Sequence, residues 1–186
     1  MSMSAAEVMD ATRDWLERAV IGLNLCPFAK AVHAKGQIRF VVTGAATADE
    51  LLAALEDELQ FLVQVDPEQT DTTLLIHPHA MPGFLDFHFF LAEADALLKR
   101  LDLAGTVQIA GFHPRFEFAG STPDDIENYT NRSPYPILHL LREASVSRAV
   151  EAFPDAAGIF ERNIRALRSL GHAGWQSLWQ DPPHGS

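Results

Sequence analysis

Cysteine is almost missing from this chain. Cys26 is the only one among 186 residues, which excludes an intrachain disulfide and any metal site built from clustered thiolates. No run of eighteen uninterrupted apolar residues occurs, so no segment reads as a membrane span. Clustered basic charge is missing too. The formal net charge is -11 and the 14 Lys and Arg residues are scattered, which argues against a nucleic-acid partner. Neither G-x-G-x-x-G nor a Walker pattern is present, so nothing points to a dinucleotide or a nucleoside triphosphate. There is no H-E-x-x-H, no internal repeat and no low-complexity tract. The opening MSMSAAEVMDATRDW has early acids and no apolar h-region, so it does not read as a secretory signal. The chain reads as cytoplasmic.

What is present is ordinary for a globular domain: 47% hydrophobic and 21% charged residues. Ser4 with Glu7, and Thr47 with Glu50, have capping-box spacing and predict helices over about Ala5–Leu23 and from Thr47 to about Val65. Apolar spacing predicts a third helix over Phe84–Leu101. Strand-like runs fall at Gln37–Thr43, Thr72–Ile76 and Thr106–Ala110. A polar stretch, His113–Ser133, follows, with a short helix expected at Thr122-Pro123-Asp124-Asp125. Two C-terminal helices are expected over about Pro136–Phe153 and Asp155–Leu170, stopped by Gly171, with one more turn within Gly174–Trp179. Strands alternating with helices imply an α/β fold: a small, mostly parallel sheet of about three to four strands covered by helices. A ferredoxin-like α+β arrangement is the alternative. We expect one domain over residues 1–180 and a loose tail over 181–186.

Two strands end alike, in TLLIHPH and QIAGFHPRF. In open parallel sheets ligands bind beyond the carboxyl ends of the strands, so His77, His79 and His113 fall where a site is expected. The proline after each histidine ends strand pairing and holds the histidine extended. His77 and His79 share a face in an extended segment, and His113 adds a third nitrogen. Three ligands and an open position suit a divalent metal such as zinc, with hydrolysis through a bound water as the chemistry. Without a metal, His77 and His113 become acid and base. The plainer reading is that the histidines cap strand ends and hydrogen-bond loop carbonyls. His88 and Asp95, on the third helix, could join the site or lie on a solvated edge.

Arg115 and Glu117 share one side of the alternating Arg115-Phe116-Glu117-Phe118, with Glu117 a candidate proton acceptor. Asn131, Arg132 and Ser133 precede the helix expected from Pro136, where Arg132 and free N–H groups suit a carboxylate or phosphate. The alternative pairs Arg132 with Asp124, Asp125 or Glu127. Cys26 follows a helix C-terminus, which disfavours thiolate, so a small buried hydrophobe competes with a functional thiol. Leu85 and Phe89 lie off the core face of the Phe84–Leu101 helix and offer a homodimer contact.

GLNLCPFAKAV, TLLIHPH, QIAGFHPRFEF and NYTNRSPYPILHLLRE resemble a bacterial family, the domain of unknown function 1415, over about Ala5–Gly171. The resemblance implies a stand-alone bacterial protein of this length. It brings no reaction and no catalytic residue. The residues alone therefore carry the functional expectation: a small-molecule enzyme with a histidine-rich site and arginines for a small anionic metabolite. The alternatives are a non-enzymatic ligand-binding or homodimeric module, and a thiol-dependent enzyme using Cys26.

Overall fold

The structure is a computed structural model that describes residues 3–153 and 155–180, so the expected tail over 181–186 lies outside it. Both capping boxes are made. Ser4 and Thr47 each accept from the backbone N–H three residues on, and the Glu side chain returns the bond to the cap. Helix α1 runs Ala5–Trp15 and continues in wider π-helical turns over Leu16–Ile21. A short α2, Ala29–Ala34, leads to β1, Ile38–Val42. Then come α3 (Ala48–Gln64), β2 (Thr72–Ile76), α4 (Phe84–Arg100) and β3 (Val107–Phe112).

The region read as one helix from Pro136 to Phe153 divides in two. Its first part is strand β4, Ile137–Arg142, which runs without a turn into α5, Glu143–Ala152. β4 enters the sheet between β2 and β3, antiparallel to both, giving the order β1-β2-β4-β3. β1 and β2 pair in parallel. The three expected strands therefore do point one way, but β2 and β3 are not neighbours. An interior strand is apolar on both faces, so PILHLL lacks the polar alternation that would have distinguished it from a helix start. The fold is an α/β arrangement with a mixed sheet and C-terminal helices α5 and α6, the latter Ile159–Ser177. Along the chain the order is βαβαββ, which differs from the ferredoxin-like βαββαβ.

Each sheet face has its own core. Leu75, Leu138 and Leu140 pack on α3 and α4 with Leu55, Leu59 and Phe87. Leu74, Ile76 and Ile137 pack on the opposite face, with Trp15, Leu167 and Trp175 from α1 and α6. The helical backbone of α6 breaks at Gly171 (φ 69°, ψ 174°), where the stop was expected, and a second helical segment carries on across this kink to Ser177. No helix of the described residues is long and apolar enough to cross a membrane.

Candidate functional site

The carboxyl ends of β2 and β3 lie on either side of the start of β4. His77 N–H donates to Pro136 O (3.0 Å) and His113 N–H to Asn131 O (3.1 Å), so both strands keep one bond beyond their last ladder residue. Strand alternation places both imidazoles on the α4 face. There both rings meet Phe87, with centroids 5.8 Å from His77 and 5.1 Å from His113. Phe87 can sit this close because position 111 is glycine. A Cβ there would lie 2.9 Å from the Phe87 ring.

The two imidazoles hold the same turn. His77 Nδ1–H donates to Ala80 O (3.0 Å) and His113 Nε2–H to Met81 O (3.0 Å), which are adjacent carbonyls in the turn entering α4. Met81 is in the left-handed region (φ 57°), a conformation that costs a side-chain-bearing residue about 1–2 kcal/mol. His113 Nδ1 also accepts from Arg115 N–H (3.0 Å), so both its nitrogens are engaged. His77 Nε2 is buried and has no hydrogen-bond partner among the described residues. Burial pushes the His77 imidazole down to about 4. Burial also lowers His113, with the Arg115 charge adding to it and the bond to Met81 O opposing it. Both rings are therefore neutral at neutral pH.

The expected three-histidine metal set does not form. His79 is exposed, and the lone pair of His113 already accepts a backbone N–H. Among the described residues no group of three or more His, Cys, Asp or Glu is placed to hold a metal ion. His88 is exposed beside Phe84 and Phe89, and Asp95 is exposed on the same helix. Cys26 is partly buried against the core on the α1 and α6 side, across the sheet from the two histidines.

The loop after β3 is built around Asn128, which no motif in the sequence marks out. It is fully buried. Its Oδ1 accepts from Phe118 N–H and Ser121 O–H (both 2.9 Å), and its Nδ2 donates to Thr122 O (2.8 Å). Thr122–Asp125 forms a turn in which Asp125 accepts from Thr122 N–H and O–H, and the short helix expected there begins later, as a 3-10 helix over Ile126–Asn131.

Arg132 pairs with none of the acids considered for it. Its Nε donates to Phe116 O (3.0 Å), its Nη2 to Pro123 O (2.7 Å), and its guanidinium lies over the Tyr129 ring. Asn131 Nδ2 donates to Gly111 O, and the buried Ser133 hydroxyl to Tyr135 O. No helix follows them at Pro136, so their neighbour is the start of a strand.

What the structure does gather is a cleft of roughly 700 Å3. Its walls include Arg115, Glu117, Asp124 and Arg132 from the loop, with Phe84 and Leu85 from the first turn of α4. Helix α4 starts at Gly83 with no side-chain cap, so its first N–H groups are left for other partners. Among the described residues, neither Arg115 nor Arg132 forms an ion pair with a carboxylate. Leu85 and Phe89, the proposed dimer contacts, are each 65% exposed beside this cleft.

Comparison with known proteins gives one family. The family model described as "Protein of unknown function (DUF1415)" matches residues 7–177. No curated protein and no solved structure matches the chain.

Proposed function

The chain belongs to the DUF1415 family, and from that premise we propose that it binds a small anionic or zwitterionic molecule in the cleft between the loop after β3 and the start of α4. The observation that carries the reading is Arg115. It borders the cleft, it has no carboxylate partner among the described residues, and the uncapped first turn of α4 lines the same cleft. Glu117 and Asp124 share the wall, so a ligand carrying an ammonium beside its acid group is complementary as well. In this reading the two histidines act on the cleft indirectly, by fixing the turn from which α4 starts. If the bound molecule is also transformed, Glu117 is the side chain in position to take a proton.

The test is a thermal-shift panel of inorganic phosphate, acetate, citrate, glycine and glutamate on the wild type and Arg115→Gln. At least one of these should raise the Tm of the wild type, and that rise should vanish in the variant. The unliganded Tm should stay within the range of an exposed-residue change, about 0.5 kcal/mol. A panel with no response, or an equal response from Arg115→Gln, overturns the reading. The α4 surface at Leu85 and Phe89 remains the place where a homodimer would form, and light scattering decides that point.

A further inference from the structure

All three tryptophans of the chain line a second cavity, on the other side of the sheet from the two histidines. Trp15 comes from α1, Trp175 from α6 and Trp179 from the turn after it, and Tyr129 of the 3-10 helix adds a fourth ring. The cavity measures roughly 400 Å3, within the range of small-molecule sites. Its rings meet edge to face. Tyr129 and Trp175 lie 5.0 Å apart at 71°, and Trp175 and Trp179 lie 5.8 Å apart at 69°. In each pair the edge of one ring meets the face of the other, and the Arg132 guanidinium lies over Tyr129, so the wall presents ring edges and the faces that remain, above all at Trp179. Trp15 and Trp175 are buried, whereas Trp179 is 39% exposed at the rim.

The charges at the wall are unequal. Asp14 is held by Arg18, with Nε to Oδ1 at 2.6 Å, and Arg18 Nη1 also donates to Leu178 O, tying α1 to the end of α6. Arg132, also in the wall, gives its bonds to neutral carbonyls and forms no ion pair among the described residues. Among the described residues no acceptor takes its Nη1. A guanidinium with a free N–H set in an aromatic wall is complementary to a flat ring carrying an acid group. We propose that this cavity is a binding site for a small planar aromatic acid. The ring packs against the aromatic wall, with Trp179 at the rim, and the acid group faces Arg132. The proposal does not depend on the Arg115 cleft, although Arg132 borders both.

Three tryptophans give three indole N–H signals in a proton–nitrogen correlation spectrum of the labelled full chain. The probes are benzoate, benzamide and benzylammonium, one ring with three charges. Benzoate should shift all three signals with millimolar saturation, and bind roughly tenfold tighter than benzamide, the expected margin for a charge-assisted bond. Benzylammonium should be weakest. Trp179→Ala should weaken benzoate several-fold while the Trp15 indole signal of the free protein keeps its position. Arg132→Gln should bring benzoate down to the level of benzamide. If that variant does not fold, the order of the three probes on the wild type still decides. Absence of saturation, preference for the cation, or shifts confined to Trp179 overturns the proposal.

Discussion

His77-Pro78 and His113-Pro114 are the same dipeptide at the ends of two strands pointing the same way, yet they are wired differently. His113 uses both ring nitrogens on the backbone, one toward the turn before α4 and one toward its own loop. His77 uses one nitrogen on that turn and leaves the other buried without a partner. The shared wiring shows what the dipeptide is for. Two imidazoles from different strands hold adjacent carbonyls of one turn, and that turn sets where α4 begins. The unequal wiring shows that the two cannot be exchanged. One histidine is a complete two-way connector, and the other has a buried acceptor with no protein partner among the described residues, an arrangement that normally costs stability.

The change with the largest expected effect removes what the two sites share. Phe87 is fully buried and touches both imidazoles. Phe87→Ala should cost about 3–5 kcal/mol, as for other buried Phe truncations. The loss would appear as a lower urea midpoint at unchanged slope. A cost under about 1 kcal/mol, the scale of an ordinary surface change, would mean that the aromatic contact does not support the turn.

Acid should come next and should separate the two histidines by protonation. An unfolded histidine takes up its proton near pH 6.5, and folded His77 resists until about 4. Between those values the unfolded chain binds more protons. Stability is therefore full above pH 6.5 and falls as the pH drops toward 4. The gap corresponds to about 3 kcal/mol for His77 at most. His139 is half-buried, donates from Nε2 to Thr72 Oγ1, and burial likewise pushes it down to about 4, so it adds a similar acid loss. His77→Phe should remove one share and leave those of His139 and His113. Urea midpoints at pH 7 and pH 4.5 should then converge in the variant relative to the wild type. An unchanged gap would place the acid sensitivity elsewhere.

How much of this could be read in advance depended on where the partner atoms lie. Ser4 with Glu7 and Thr47 with Glu50 are local pairs, and local spacing found them. The strand ends were legible because a proline stops a β-branched run. The work of His77 and His113 was not, because their partners are the carbonyls of Ala80 and Met81, and a carbonyl leaves no mark in a sequence. β4 escaped because an interior strand shows no alternation and because Arg142 passes straight into α5. Arg132 was read as a group for an anion, but its Nε and Nη2 are committed to the loop that carries it, through carbonyls no sequence pattern reveals. The tryptophan cavity is assembled from residues 11–15, 114, 129–134 and 175–179. Trp15 alone reads as part of an apolar helix stripe, and only the packing of α6 on the 3-10 helix Ile126–Asn131 brings Trp175 and Trp179 to the same cavity.

The smallest effect is the one that sharpens the comparison most. Phenylalanine in place of either histidine keeps a flat ring against Phe87 and deletes only the nitrogens. In His77→Phe the turn loses the bond to Ala80 O, and the orphaned buried nitrogen disappears with it, so the two changes oppose each other. In His113→Phe, Met81 O and Arg115 N–H both lose their partner and nothing offsets them. The expected costs are about 1 kcal/mol or less for the first and about 2 kcal/mol for the second, from the net worth of a hydrogen bond and the larger penalty of an unsatisfied group. Urea denaturation at pH 7 resolves that difference, since both rings are neutral there. If His77→Phe proves the costlier change, then Nε2 has a partner in solution, such as an ordered water or a bound molecule. The buried nitrogen would then belong to a site, and its emptiness would no longer distinguish the two strand ends.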